Sequence, residues 1–239
     1  MNPYQQSASQ VGYSRSSSQA VDGRARFIVR TYNHLFGALA LFTLIEVVLF
    51  KTGVADSIAL SLLSTGRGWL IVMGGFMLVG WLASHTAATA RSMPAQYAAL
   101  AGYVAAEAII FVPLLYLAER IAPSTIRSAA AVSLLGFGGL TAIVFVSRKD
   151  FSFLGAFLRW GGIAALLLIA AGLLFGFQLG TFFSVAMIGF AGAAILYDTS
   201  NVVRNFPEDR YVAASLQLFA SVALLFWYVL RLLMSMQRD

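Results

Sequence analysis

Seven runs of mostly apolar residues follow one another along the chain, at about 33–50, 69–86, 96–118, 127–147, 153–175, 179–199 and 211–234. A helix needs roughly 20 apolar residues to cross a hydrocarbon layer about 30 Å thick, and each run is close to that length. Together they take up most of the 239 residues, and only 11% of the chain is charged. A soluble domain carries roughly 25% charged residues, so this chain has too few to coat a water-facing surface. The pattern predicts an all-α integral membrane protein, a single seven-transmembrane helix bundle over residues 27–239.

The separators between runs carry breakers and charges: Thr65-Gly-Arg-Gly68, Arg91-Ser-Met-Pro94, Glu119 to Pro123, Arg148-Lys-Asp150 and Phe206-Pro-Glu-Asp-Arg210. The weakest boundary is Phe175-Gly-Phe-Gln-Leu-Gly180, where one long buried hairpin with a glycine turn also fits and would leave six spans. Residues 1–26 are polar, rich in Ser and Gln, and lack apolar periodicity; they read as a disordered cytoplasmic tail. No short apolar run with a cleavage site follows a basic start, so no cleaved signal peptide is expected. With the N-terminus inside, nine Lys and Arg residues fall on the cytoplasmic side and six on the far side. That bias predicts a cytoplasmic N-terminus and, after seven spans, a C-terminus outside. Fourteen Arg against two Lys, with abundant Ala, points to a bacterial chain and thus to the inner membrane.

Cysteine is absent and the only histidines are His34 and His85, so disulfides, thiolate metal sites and the usual zinc ligand sets are excluded. No cofactor is expected and no metal site is assigned. The net charge of +6 belongs to helix ends and the tail, where topology explains it, and not to a nucleic-acid partner. The expected partner is the lipid bilayer. Small residues recur within the runs, among them Gly74, Gly75, Gly80, Gly136, Gly138, Gly139, Gly161, Gly162, Gly189 and Gly192. They suit helices that associate by close backbone approach.

An ionisable group at the bilayer centre costs roughly 2.5–3.5 kcal/mol on insertion scales, so each one needs a reason. Glu107 sits mid-run with apolar neighbours for a full turn on both sides, and must either face the bundle interior or be protonated. Arg159 is shallow enough to snorkel. Glu46 and Arg231, near the far ends of their runs, read as interfacial. Asp198 closes the run ending Ala191-Gly-Ala-Ala-Ile-Leu-Tyr197 at the cytoplasmic boundary, with Arg204 six residues on.

Three segments resemble one known family. They are Ile195-Leu-Tyr-Asp-Thr-Ser200 with Ala213-Ala-Ser-Leu-Gln-Leu-Phe219, then Ser147-Arg-Lys-Asp-Phe-Ser-Phe-Leu-Gly155, and Phe27-Ile-Val-Arg-Thr-Tyr32. In order and spacing they are similar to the Bax inhibitor-1 family (transmembrane BAX inhibitor motif, or lifeguard, proteins), in its bacterial form, over roughly residues 27–235. The resemblance implies outer helices around a central one, an inside N-terminus and a passive calcium leak. It also implies two aspartates, at the ends of the sixth and seventh spans, that share a proton and contact an arginine near the second. Asp198 matches the first aspartate. Ser221 stands where the second should be, and Leu224 where an asparagine is common, so the carboxylate pair is absent. Arg91 is the positional candidate for the arginine, and Arg204 a local alternative.

The expectations for function are therefore a calcium or cation leak with altered or absent pH gating, built on Asp198, Glu107, Ser221, Arg91 and Arg204. The alternative is a non-transporting regulator that binds other membrane proteins, such as a protease modulator or a stress or cell-death suppressor. No enzyme is expected. Tyr197-Asp198 resembles the first half of an aspartyl intramembrane protease, but no Gly-x-Gly-Asp follows, and neither histidine lies well within a later span.

Overall fold

In the computed structural model, the backbone is described over residues 3–64, 69–90 and 92–237, and side chains over 22–64, 74, 75, 77–90 and 92–237. These residues form eight helices: α1 Pro3–Lys51, α2 Val54–Ser64, α3 Trp69–Thr89, α4 Met93–Ile121, α5 Pro123–Ser147, α6 Leu154–Phe175, α7 Thr181–Arg204 and α8 Tyr211–Met236. The described residues contain no strand. In lipid every backbone amide must be bonded within the chain, which apolar runs of this length satisfy as helices.

Six helices are long and apolar enough to cross a membrane among the described residues, namely α1 from Asp22 onward, α4, α5, α6, α7 and α8. The expected count of seven is thus met by six here, and the second run, 69–86, lies within α3. The doubtful boundary near residue 176 is a real one. Gly176 takes a left-handed conformation (φ 77°) that closes α6, its amide donating to the Gly172 carbonyl, and α7 starts at Thr181. Pro123 opens α5, where its missing N–H costs nothing.

The short α2 was not foreseen. Gly53 (φ 76°) turns the chain after α1, and 11 residues reach only about 16 Å, too short to span. Ala55 and Ala59 pack it onto Val112 and Tyr116 of α4. Helix α1 begins inside the polar stretch read above as a tail. Arg24 of that stretch is anchored: its guanidinium donates to the carbonyls of Val202 (2.7 Å), Val203 (2.9 Å) and Phe206 (2.5 Å). It so caps the C-terminal end of α7, where unpaired carbonyls favour a cation.

Helix α8 is the centre. It packs against α7, α1, α5, α4 and α3, whereas α6 touches mainly α7. Phe219, Leu218, Leu230 and Ala214 of α8 are wholly buried, and Phe111 of α4 is ringed by Phe42, Phe226 and Trp227. The outer faces are apolar too: Leu135, Val146, Trp160 and Phe182 are exposed, as suits a surface solvated by lipid. The small-residue reading holds only in part. A side chain at Gly161 would meet Phe190 at 3.0 Å and one at Gly80 would meet Tyr103 at 3.3 Å, but Gly74, Gly75, Gly138, Gly139 and Gly189 have open space beside them. Those five meet no close neighbour among the described residues.

This division makes a direct test. Phe111→Ala should lower unfolding stability by about 3–5 kcal/mol, as for large-to-small core changes. Leu135→Ala, on the lipid face, should change it by less than about 0.5 kcal/mol. Both are read as denaturant midpoints of the reconstituted protein.

Candidate functional site

Two polar groups of sites lie inside the bundle, and Ser221 belongs to both. Toward the C-terminal end of α7, Asp198 is buried against α8, 5% exposed. Ser221 donates a short hydrogen bond to its Oδ2, and the Gln217 amide donates to its Oδ1 at 2.6 Å. Gln217 and Ser221 are four residues apart, one turn of α8, so they present two donors on one face. The carboxylate is therefore bonded at both oxygens by neutral groups. No cation pairs with it among the described residues.

Ser221 also lines a cavity of about 670 Å³ that runs along α8 to Arg231, with Tyr103 and Glu107 of α4 on its wall. Ten residues separate Ser221 from Arg231, about 15 Å of helix or half the hydrocarbon thickness. Glu107 is 7% exposed and accepts a hydrogen bond on Oε1 from the Tyr103 hydroxyl at 2.9 Å. Tyr103 precedes Glu107 by one turn, so this partner was open to inference from spacing. Arg231 donates to the Leu179 carbonyl at 2.7 Å, which fixes the loop between α6 and α7 at the other end.

The arginines behave differently from the expectation. Arg204 does not meet Asp198; it donates to the backbone carbonyl of Arg148, the left-handed residue (φ 51°) that ends α5. It lies six residues, about 1.7 turns, beyond Asp198 on α7, which turns its side chain toward another face. Arg91 lies outside the described residues. Arg159 is exposed, in keeping with a snorkelling side chain.

The motifs read from the sequence meet around this end of α7. The Phe151 amide donates to Ser200 Oγ at 3.1 Å. Gly155 lies so near Tyr197 that a side chain there would approach its ring at 3.0 Å. In the same loop Asp150 accepts from the Ser152 amide at 2.9 Å, and that bond holds its carboxyl below the usual range, with Arg204 assisting. Phe27 of the entry motif stacks on Phe206. The quoted segments thus form one cluster around the C-terminal end of α7.

The match to the family model described as inhibitor of apoptosis-promoting Bax1 covers residues 24–239. The chain belongs to the Bax inhibitor-1 family. Its relatives include an uncharacterized protein of Pseudomonas aeruginosa, 37% identical over 112 residues (46% of this chain, 49% of that one). Bax inhibitor 1 of Schizosaccharomyces pombe is 33% identical over 119 residues (48% and 44%). The modulator of FtsH protease YccA of Escherichia coli is 31% identical over 115 residues (48% and 52%). The chain spans about half the length of the curated relatives it matches. It is a multipass membrane protein of this family.

Glu46 carries little weight on its sequence position. Read as interfacial, it is 7% exposed, with neither carboxylate oxygen hydrogen-bonded. Position along a run gives depth but not which way a residue faces, and the bundle lies on that side of α1.

Replacing Ser221 with Ala would leave Asp198 Oδ2 buried without its donor. A lost partner of this kind costs about 1–3 kcal/mol, so Ser221→Ala should lower the unfolding midpoint accordingly. Ser128→Ala, whose exposed hydroxyl bonds only its own helix backbone, should not.

Proposed function

We propose that the chain is a seven-span protein with a cytoplasmic N-terminus that lets cations, calcium among them, pass down their gradient. Helix α3 supplies the seventh span: its 21 residues extend about 31 Å. The path runs from Asp198 past Ser221 into the cavity holding Glu107. The observation that carries this reading is the double role of Ser221, which bonds the buried Asp198 and also lines that cavity. Carboxylates at both places favour a cation over an anion, and charges inside a membrane commonly mark ion pathways. With both oxygens of Asp198 bonded to α8, the cytoplasmic mouth is closed. Opening requires Gln217 and Ser221 to give way to the cation.

Purified protein in liposomes loaded with a calcium-sensitive dye tests this. Flux above that of empty liposomes is expected, and Asp198→Asn should cut it about tenfold, the effect of roughly 1.4 kcal/mol on a barrier. No flux would sink the leak reading, and unchanged flux in Asp198→Asn would sink the path. Ser221→Asp puts a second carboxylate beside the first, where two charges cannot both ionise cheaply. It should steepen the dependence of flux on pH relative to the parent.

A second reading is a regulator that binds other membrane proteins. The description of the Escherichia coli relative as a modulator of the FtsH protease supports it. So does α6, whose outward face of Phe157, Trp160 and Leu167 is exposed. Crosslinking in native membranes should then recover a specific second protein, and a Trp160→Ala change should weaken that product. Recovery of the chain alone would count against this reading.

A further inference from the structure

A second cavity lies on the opposite side of α8, away from the Asp198 path. Helices α1 and α5 both pack on α8 and α4. They meet each other where Tyr32 contacts Phe137 and Phe145. Further along, they separate, and the gap is a cavity of about 600 Å³ floored by Phe219 and Phe226 of α8 and Leu115 of α4. Of the lining residues, Val47 and Leu134 are exposed and apolar while Lys51 and Glu119 are exposed and charged, so the mouth opens where lipid meets the polar membrane surface. The volume is in the range of roughly 300–1,000 Å³ usual for small-molecule sites.

Five polar side chains line this mostly apolar space, Thr43, Glu46, Lys51, Glu119 and Ser133; of these Glu46 and Ser133 are buried with no partner among the described residues. Glu46 is 7% exposed and Ser133 2% exposed; both Glu46 oxygens and Ser133 Oγ are buried without a hydrogen bond. Lys51 lines the same cavity but is exposed and does not bond Glu46. Glu46 lies five residues, or roughly 7.5 Å, before the end of α1. Buried polar groups are nearly always hydrogen-bonded, and an exception calls for an account. A carboxylate and a hydroxyl together offer three acceptor oxygens, which is the complement of a primary ammonium.

We propose that this cavity binds a lipophilic primary amine entering from the bilayer, its ammonium against Glu46 and Ser133 and its hydrocarbon along Phe42, Leu115 and Phe226. The charge on Glu46 selects the amine, the apolar floor holds the chain, and the mouth where lipid meets the polar surface sets the route. The site is separate from the cation path and does not depend on it. The shared wall is α8, whose Ala223 borders both cavities.

The probe is radiolabelled dodecylamine, bound to the full chain in phosphatidylcholine nanodiscs, with empty nanodiscs subtracted. Saturable binding is expected, with dodecanol competing at least about tenfold more weakly than unlabelled dodecylamine, since 1.4 kcal/mol is a factor of ten. Glu46→Gln, nearly isosteric, should weaken dodecylamine at least about tenfold. Ala130→Phe, which leaves Glu46 in place but fills the lining at Ala130, should abolish saturable binding. No saturable binding, or dodecanol competing as well as the amine on the unaltered protein, overturns the proposal without reference to any variant. Unchanged affinity in Glu46→Gln or in Ala130→Phe also overturns it.

Discussion

Hydrocarbon gives apolar side chains no reason to leave lipid for a protein core, so the bundle depends on what α8 offers its neighbours by fit and by hydrogen bonding. It offers both. Phe219 packs between Phe42 and Tyr103, and Phe226 and Trp227 enclose Phe111. Gln217 and Ser221 then tie α8 to α7 through Asp198. The two kinds of contact sit on different faces of one helix, which lets α8 serve as the post around which α1, α4, α5 and α7 stand. Helix α6 has no such link to α8 and is held mainly through α7, at Gly155 and Gly161.

Three carboxyl groups are enclosed by this arrangement, and their surroundings differ in kind. Asp198 has two donors from a neighbouring helix, and Glu107 one donor from its own. Glu46 has none. A bilayer makes that gradation meaningful, because an unmatched group there cannot turn to water. Two of the carboxyls border one cavity system through Ser221 and Tyr103, and the third borders another across α8. The central helix thus separates two polar recesses that a view of spans alone would merge.

Most of the fold was legible because hydrophobic run length answers to a single physical demand, bilayer thickness. Five of the seven runs fall wholly inside helices and the other two start one or two residues early, whereas the juxtaposition of Asp198 and Ser221 was implied by the family resemblance. What escaped had a different physical origin. Helix α2 is too short to leave a spanning signal, and its burial rests on two alanines. Arg24 sits in a stretch whose composition reads as tail, yet its partners are carbonyls, which no side-chain pattern announces. Arg204 was paired with Asp198 on sequence distance, but six residues on a helix rotate the side chain well off the first one's face. Several glycines were assigned to packing by residue type, although a glycine at a lipid face looks the same in sequence as one under a phenylalanine.

The serine at position 221 changes what kind of gate the proposed path can have. Two carboxylates in contact must hold a proton between them, and their separation answers to pH. A carboxylate held by a hydroxyl and an amide needs no shared proton, because both donors remain donors across the ordinary pH range. Hydrogen bonds to a charged group contribute about 1.5–3 kcal/mol each, so releasing both from Asp198 costs about 3–6 kcal/mol. A divalent cation arriving at Asp198 offers the carboxylate a replacement for what it loses. On the proposed path the entering ion would itself be the stimulus, and the two donors on α8 would set how much of it is needed.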